Sequence, residues 1–104
     1  MMANEIKEIA NLDRLIHEPA RLAIMAVLSA CESADFIYLL NSTGLSKGNL
    51  SAQLSKLEEA GYVAIVKGFK DNYPNTNCSL TTAGRRAFNN YWKQYLTLAQ
   101  HLEK

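Results

Sequence analysis

The stretch Thr43–Leu80 reads TGLSKGNLSAQLSKLEEAGYVAIVKGFKDNYPNTNCSL. It opens on a tight turn, Thr43-Gly44, and then predicts a helix that begins at Ser46 and runs to Glu59. Leu50, Leu54 and Leu57 recur at i, i+4 and i+7, a narrow apolar stripe that must pack inward. Ser46 is placed to cap this helix by accepting from the amide of Gly48 or Asn49. Asn49 stands where a full capping box would carry Glu or Gln, so half of that motif is present. Gly61 stops the helix. Tyr62–Lys70 is rich in β-branched and aromatic residues, with Val63, Ile65 and Phe69 at alternating positions, and reads as a strand. A polar tip, Asp71-Asn72-Tyr73-Pro74-Asn75, precedes a returning strand over Thr76–Leu80.

Working outward toward the N-terminus, Thr43-Gly44 closes a short helix that turns Phe36, Leu39 and Leu40 to the core, glycine suiting a left-handed stop. Ser33-Ala34-Asp35 separate it from a preceding helix, and Ser33 or Asp35 can cap it. That preceding helix spans Ala20–Cys31 and is apolar on almost every side (Leu22, Ile24, Met25, Val27, Leu28), so it is expected to be the central buried helix. Pro19, tolerated in a first helical turn, restarts the chain there. Before it, Ile6, Ile9, Leu12 and Ile16 repeat every three or four residues and predict a first helix with one apolar side. Toward the C-terminus, Thr81 or Thr82 caps a long last helix in which Phe88, Trp92, Tyr95, Ala99 and Leu102 keep helical spacing.

With 104 residues, 48% hydrophobic and 20% charged, the chain fits one folded domain with one modest core. The net charge is only +1, but its distribution is uneven. Residues 1–35 carry Lys7, Arg14 and Arg21 against six acids; residues 36–104 carry eight bases against four acids. A basic half on a near-neutral protein points to a polyanionic partner. Cys31 and Cys78 lie far apart without CxxC spacing. The start MMANEIKEIA lacks the apolar stretch of a signal peptide, and the apolar run Leu22–Leu28 is too short to span a bilayer. A cytoplasmic, reducing setting without a disulfide is expected. His17, His101, Cys31 and Cys78 are the soft metal ligands and have no local site spacing. There is no phosphate-binding glycine loop and no nucleophile–base pair. Glu58-Glu59 read as solvent-facing or helix-structural carboxylates. No cofactor and no enzymatic activity are expected.

The helix from Ser46 carries the chemistry. With its leucines inward, Lys47, Gly48, Ser51, Ala52 and Ser55 lie outward, flanked by Asn49, Gln53 and Lys56. Amide side chains pair bidentately with adenine, and lysine pairs with guanine or phosphate. Short Ser and Ala side chains let a helix approach a groove closely. Gly48 costs about 1 kcal/mol of helix propensity relative to alanine, which makes sense if the backbone there must come close to a phosphate. On the hairpin, Lys67, Lys70, Asn72 and Tyr73 are suited to contact phosphate or the minor groove, positioning the protein rather than specifying sequence. Asp71 opposes that role. Arg85 and Arg86 sit in the first turn of the last helix, against the helix dipole. Structural pairing of at least one is favoured over contact with a DNA backbone.

The run LSKGNLSAQLSKLEEAGYV, followed by a strand, a wing and LTTAGRRAF, resembles the winged helix-turn-helix transcriptional regulators, most nearly the small one-domain MarR/ArsR-like group of prokaryotes. HEPARLAIMAVL is similar to the buried helix that precedes the DNA-binding pair in that family. The likeness covers roughly residues 12–95 and implies a mainly α fold with a small β-hairpin wing (α+β), with extra N- and C-terminal helices for dimerisation. It further implies a homodimer bound to double-stranded DNA, with the helix 46–59 in the major groove and the wing 67–76 on the backbone. The wing tip DNYPN lacks the arginines such wings often carry, and the metal-binding cysteine box of some ArsR-type sensors is absent.

Ile6, Ile9, Ile16, Phe88, Tyr91, Trp92, Tyr95 and Leu102 are the expected dimerisation residues, because aromatic groups on a terminal helix have few partners within a small domain. The rival reading is a winged-helix module for protein interaction or dimerisation without strong DNA binding, which the low net charge and arginine-poor wing favour. The sequence leaves open the operator, the sign of regulation and whether a small-molecule effector acts.

Overall fold

The computed structural model describes residues 7–103. Within them the order is α1 (Pro19–Ser29), β1 (Ala34–Asp35), α2 (Phe36–Thr43), α3 (Lys47–Glu59), β2 (Val63–Lys70), β3 (Tyr73–Leu80) and α4 (Thr82–Leu102). The result is a mostly helical chain with a small three-stranded antiparallel sheet in the order β1-β3-β2. The leucine stripe of α3 packs with α1 and α2: Ile16, Ile24, Met25, Leu28, Leu39, Leu50 and Leu57 are all solvent-inaccessible. Every helix has the cap its sequence provides. Asp35 accepts from the amide of Tyr38 and Ser46 from that of Asn49, while Gly44 closes α2 in the left-handed region at φ 71°. Each such cap satisfies an amide or carbonyl that the helix itself leaves unpaired.

Four expectations need correction. The first apolar repeat is not one helix through Ile16. Residues 7–9 are helical, but the Asp13 carboxylate then accepts from the amides of Leu15 (2.9 Å) and Ile16 (3.3 Å) and folds the chain into a turn. A short acidic side chain that bonds its own backbone competes with helix in this way. Leu12 and Ile16 still reach the core, but from that turn; Ile6 lies outside the described residues. The second helix starts at Pro19 with Glu18 as its cap, and stops at Ser29 rather than Cys31. There Arg85 donates to the carbonyls of Ser29 (3.1 Å) and Cys31 (3.5 Å). So Arg85 is the structurally paired arginine, and its partners are the unpaired carbonyls of a helix end.

The sheet has a third strand that the sequence reading did not contain. Ala34 pairs with Cys78 and Asp35 with Asn77. The wing is also longer and its tip shorter than expected. β3 begins at Tyr73, with Lys70 opposite Tyr73 and Phe69 opposite Pro74. Only Asp71 (φ 52°) and Asn72 (φ 70°) form the turn, and positive φ at both positions is the hairpin turn that Asp and Asn tolerate best. Pro74 fits a strand here because its pair with Phe69 is a non-hydrogen-bonded one, so its missing N–H faces away from β2. On that side β1 pairs only at Asn77 and Cys78.

One close contact joins these parts. Thr81 donates its amide to the Tyr62 carbonyl (3.0 Å) and its hydroxyl to the Gly61 carbonyl (2.6 Å), and its hydroxyl oxygen caps Gly84. The first turn of α4 therefore lies on the backbone at Tyr62. A Cβ on Gly84 would sit 2.8 Å from the Tyr62 carbonyl carbon and nearer still to its oxygen. Backbone cannot yield as a flexible side chain can, so Gly84→Ala should destabilise the fold by about 2–3 kcal/mol, read as a lower urea midpoint.

Tyr62 also donates its hydroxyl to Asp13 (2.7 Å). That bond, burial and the Asp13 charge push its phenol up from 10.0 to about 12. The folded state therefore holds the proton more tightly than the unfolded chain does. The associated stability is complete below pH 10 and disappears as pH rises through about 12. Urea denaturation of Tyr62→Phe beside the parent protein should show a constant stability gap up to the lower of those values and a closing gap between them.

Candidate nucleic-acid interface

The site is built on α3, held from behind by Leu50, Leu54 and Leu57. Anchoring those three fixes the rotation of the helix. Ser46, Lys47, Gly48, Asn49, Ser51, Ala52, Ser55 and Lys56 are then exposed, and Gln53 is partly so. Beyond its own helix backbone and chain neighbours, nothing among the described residues lies within 4 Å of where a Cβ on Gly48 would stand, so the first turn of α3 presents bare backbone to solvent.

Gln53 is not a free amide. Its Oε1 accepts from Arg21 Nη1 at 2.7 Å, and its Nε2 donates to Asn49 Oδ1 at 2.9 Å. Arg21 comes from α1, is 14% exposed, and is itself held by the Leu15 carbonyl (2.6 Å) and by Glu18 (4.0 Å). Sequence reading missed this residue. The available signal was a lone arginine in an otherwise apolar helix, since a charge drawn into the core needs partners.

The wing stands beside α3. Successive residues of a strand face opposite sides, so the register divides the wing into two faces. Ile65, Lys67, Phe69, Pro74 and Thr76 share the face that continues the core, whereas Val66, Lys70 and Tyr73 share the other. Lys67 and Thr76 line a groove of about 600 Å³ with Ser51, Ser55 and Glu58 of α3. The structure thus brings Lys67 together with the outer face of α3, while Lys70, Asn72 and Tyr73 lie at the tip, away from it. The wing is less polar than its sequence suggested: Phe69 is 79% exposed, Tyr73 74% and Val66 66%.

The expected dimerisation residues divide into two sets. Ile16 and Tyr91 are buried within the chain, and Phe88 nearly so. Tyr91 packs inward and shares a 2.7 Å hydrogen bond with His17 Nδ1; burial raises its phenol above the ordinary tyrosine value. These three serve the chain's own core. Ile9, Trp92, Tyr95 and Leu102 are exposed, together with Leu96, which the sequence reading did not name. Trp92 stacks on Phe88 and on Tyr95, with ring centroids 6.4 and 5.7 Å apart.

Burial pushes the Cys78 thiol up to about 11, helped by the charges of Glu58 and Asp35, so it stays protonated and unreactive at neutral pH. Among the described residues no cluster of His, Cys, Asp or Glu is arranged to hold a metal ion, and no helix is long and apolar enough to cross a membrane.

This geometry agrees with what the chain is similar to. Residues 20–98 match the family model described as a winged helix DNA-binding domain. An uncharacterized protein of Methanocaldococcus jannaschii is 34% identical over 90 residues, covering 86% of this chain and 98% of that one. The solved structure of a transcriptional regulator homologue from Pyrococcus horikoshii OT3 superposes with a TM-score of 0.87 at 27% identity, covering 97% and 99% of the two chains. A MarR-family transcriptional regulator from Silicibacter pomeroyi has the same fold (TM-score 0.68, 24% identity, 97% of this chain and 65% of that one). A mostly helical chain with its wing beside an anchored α3, matched by that family model over most of its length, belongs to the winged helix DNA-binding domain family.

Proposed function

We propose that the chain is a single winged-helix domain that binds double-stranded DNA in a sequence-specific way and regulates transcription as a homodimer. The observation that carries this reading is the solvent face of α3. Lys47, Asn49, Ser51, Gln53, Ser55 and Lys56 share one helix whose opposite side is fixed by three buried leucines. A rigid helix with amides and lysines outward has the dimensions and donors to read a major groove. Lys67 and Lys70 on the wing add cations that grip the flanking phosphates without reading bases.

Dimerisation is supported by the last helix. Trp92, Tyr95, Leu96 and Leu102 are 42–58% exposed, with Ile9 beside them at 41%. A second copy that covers this apolar strip would place two α3 helices on one assembly, ready for two half-sites about one helical turn apart.

One observation favours a second reading, a winged helix that docks another protein. The wing tip exposes Phe69 and Tyr73, carries Asp71 and has no arginine. Selection against random duplexes separates the two: a DNA regulator enriches one motif, and a docking module enriches none.

Gly48 gives a sharp test of the docking geometry. Space around it is open, so Gly48→Ala should keep or raise stability, by up to about 1 kcal/mol. If the first turn of α3 lies against a phosphate, the same change weakens duplex binding measured by fluorescence anisotropy. A variant that melts higher and binds as tightly as the parent contradicts that approach. Trp92→Ala should cost about 2–4 kcal/mol of dimer stability, read as a shift to monomer mass by light scattering at micromolar concentration. A parent protein that is already monomeric there contradicts the dimer.

A further inference from the structure

We propose that Arg21 sets the base preference of α3 by holding Gln53 and Asn49 in one polarity, so that the helix presents hydrogen-bond donors to the groove. The inference rests on the DNA-binding reading above and specifies how that site reads bases.

Arginine can only donate, so the Gln53 group that meets Arg21 Nη1 at 2.7 Å is its carbonyl oxygen. The Gln53 amide nitrogen therefore points the other way, toward Asn49. There it donates to Asn49 Oδ1 at 2.9 Å, which in turn fixes the Asn49 amide with its nitrogen outward. The donor–acceptor order Arg21→Gln53→Asn49 runs from α1 to the exposed surface of α3. It begins at a side chain only 14% exposed, anchored on the Leu15 carbonyl. What remains for a ligand is the second N–H of Gln53 and both N–H bonds of Asn49.

An unconstrained Asn or Gln pairs bidentately with adenine by accepting from N6 and donating to N7. Here the oxygen of each amide is turned toward a protein donor. The adenine pair would require Asn49 to rotate and break the bond from Gln53. A guanine edge, with O6 and N7 both acceptors, or the O4 of thymine, fits the donors as they stand. Arg21 is thus a positioning residue: it lies behind α3 and determines specificity through Gln53.

Two substitutions test this. Gln53→Glu keeps the Arg21 contact and makes it charge-assisted, but removes the donor to Asn49. Asn49 then rotates to donate to the new carboxylate and turns its oxygen outward. The position it reads should change from guanine or thymine to a base that donates there, cytosine or adenine, by about tenfold in relative enrichment. Arg21→Met removes the anchor and frees both amides, so that adenine becomes acceptable at that position. The experiment is a selection from random duplexes with the parent, both of these variants and Asn49→Ala, which identifies the position Asn49 reads, each checked for native melting. A parent motif in which Asn49→Ala loses a guanine or thymine preference, and which Gln53→Glu inverts, supports the proposal. A folded Gln53→Glu variant that selects the parent motif unchanged overturns it while leaving DNA binding intact. A parent protein that enriches no duplex overturns both the proposal and the reading beneath it.

Discussion

The close approach of α4 to the backbone at Tyr62 is the constraint on which the rest of the structure depends. Gly61 and Tyr62 link the end of α3 to the start of β2, while Thr81 links β3 to α4 and Gly84 lies in the first turn of α4. Two hydrogen bonds from Thr81 and the absence of a side chain at Gly84 hold these four ends at one point. The direction of α3 relative to the wing and the direction of α4 away from both are set there. A side chain at Gly84 would force α3 and α4 apart, and with them the presented face and the apolar strip. Tyr62 adds a second tie, through its hydroxyl, to the turn at Asp13.

On this frame the charges are few but localised. The lysines at positions 47, 56, 67 and 70 are all exposed on α3 or the wing, which is how a chain with a net charge of +1 can still offer a polyanion a cationic surface. Acids near that surface are Glu58 in the groove, Glu59 beside Lys56 and Asp71 at the wing tip. Arg85 is committed to the end of α1. The apolar exposure falls in three places: one strip on α4 with Ile9, the wing around Phe69, and Ile37 with Tyr38 at the start of α2.

Much of the fold was legible because local physics wrote it. The stripe Leu50, Leu54, Leu57, the cap at Ser46 and the stop at Gly44 each depend on neighbours a few residues away, and each stands as expected. What the sequence hid depends on distant partners. β1 is two residues long and exists because Cys78 and Asn77 lie beside it. The turn at Asp13 wins over a good apolar repeat through one carboxylate. The sequence assigned Ile16, Tyr91 and Trp92 alike to a dimer surface, because residue type and position on a terminal element could not tell which would face the chain's own core. The structure puts the first two inside and leaves Trp92 outside. For the candidate site, the exposed residues of α3 were readable from its leucines alone. The tie from Gln53 to Arg21 spans 32 residues and has no local signature.

On the proposed reading, α3 and the wing bind the phosphate backbone through localised lysines, and the salt dependence of duplex binding tests this most directly. Each neutralised phosphate contributes about −0.9 to the slope of log K against log salt concentration. With four lysines on each protomer of a dimer, a steep slope is expected, on the order of −3 to −7, reduced by roughly two for each phosphate-contacting lysine position replaced, because the substitution removes one contact from each half-site. A slope near zero, or no duplex affinity even at low salt, contradicts it.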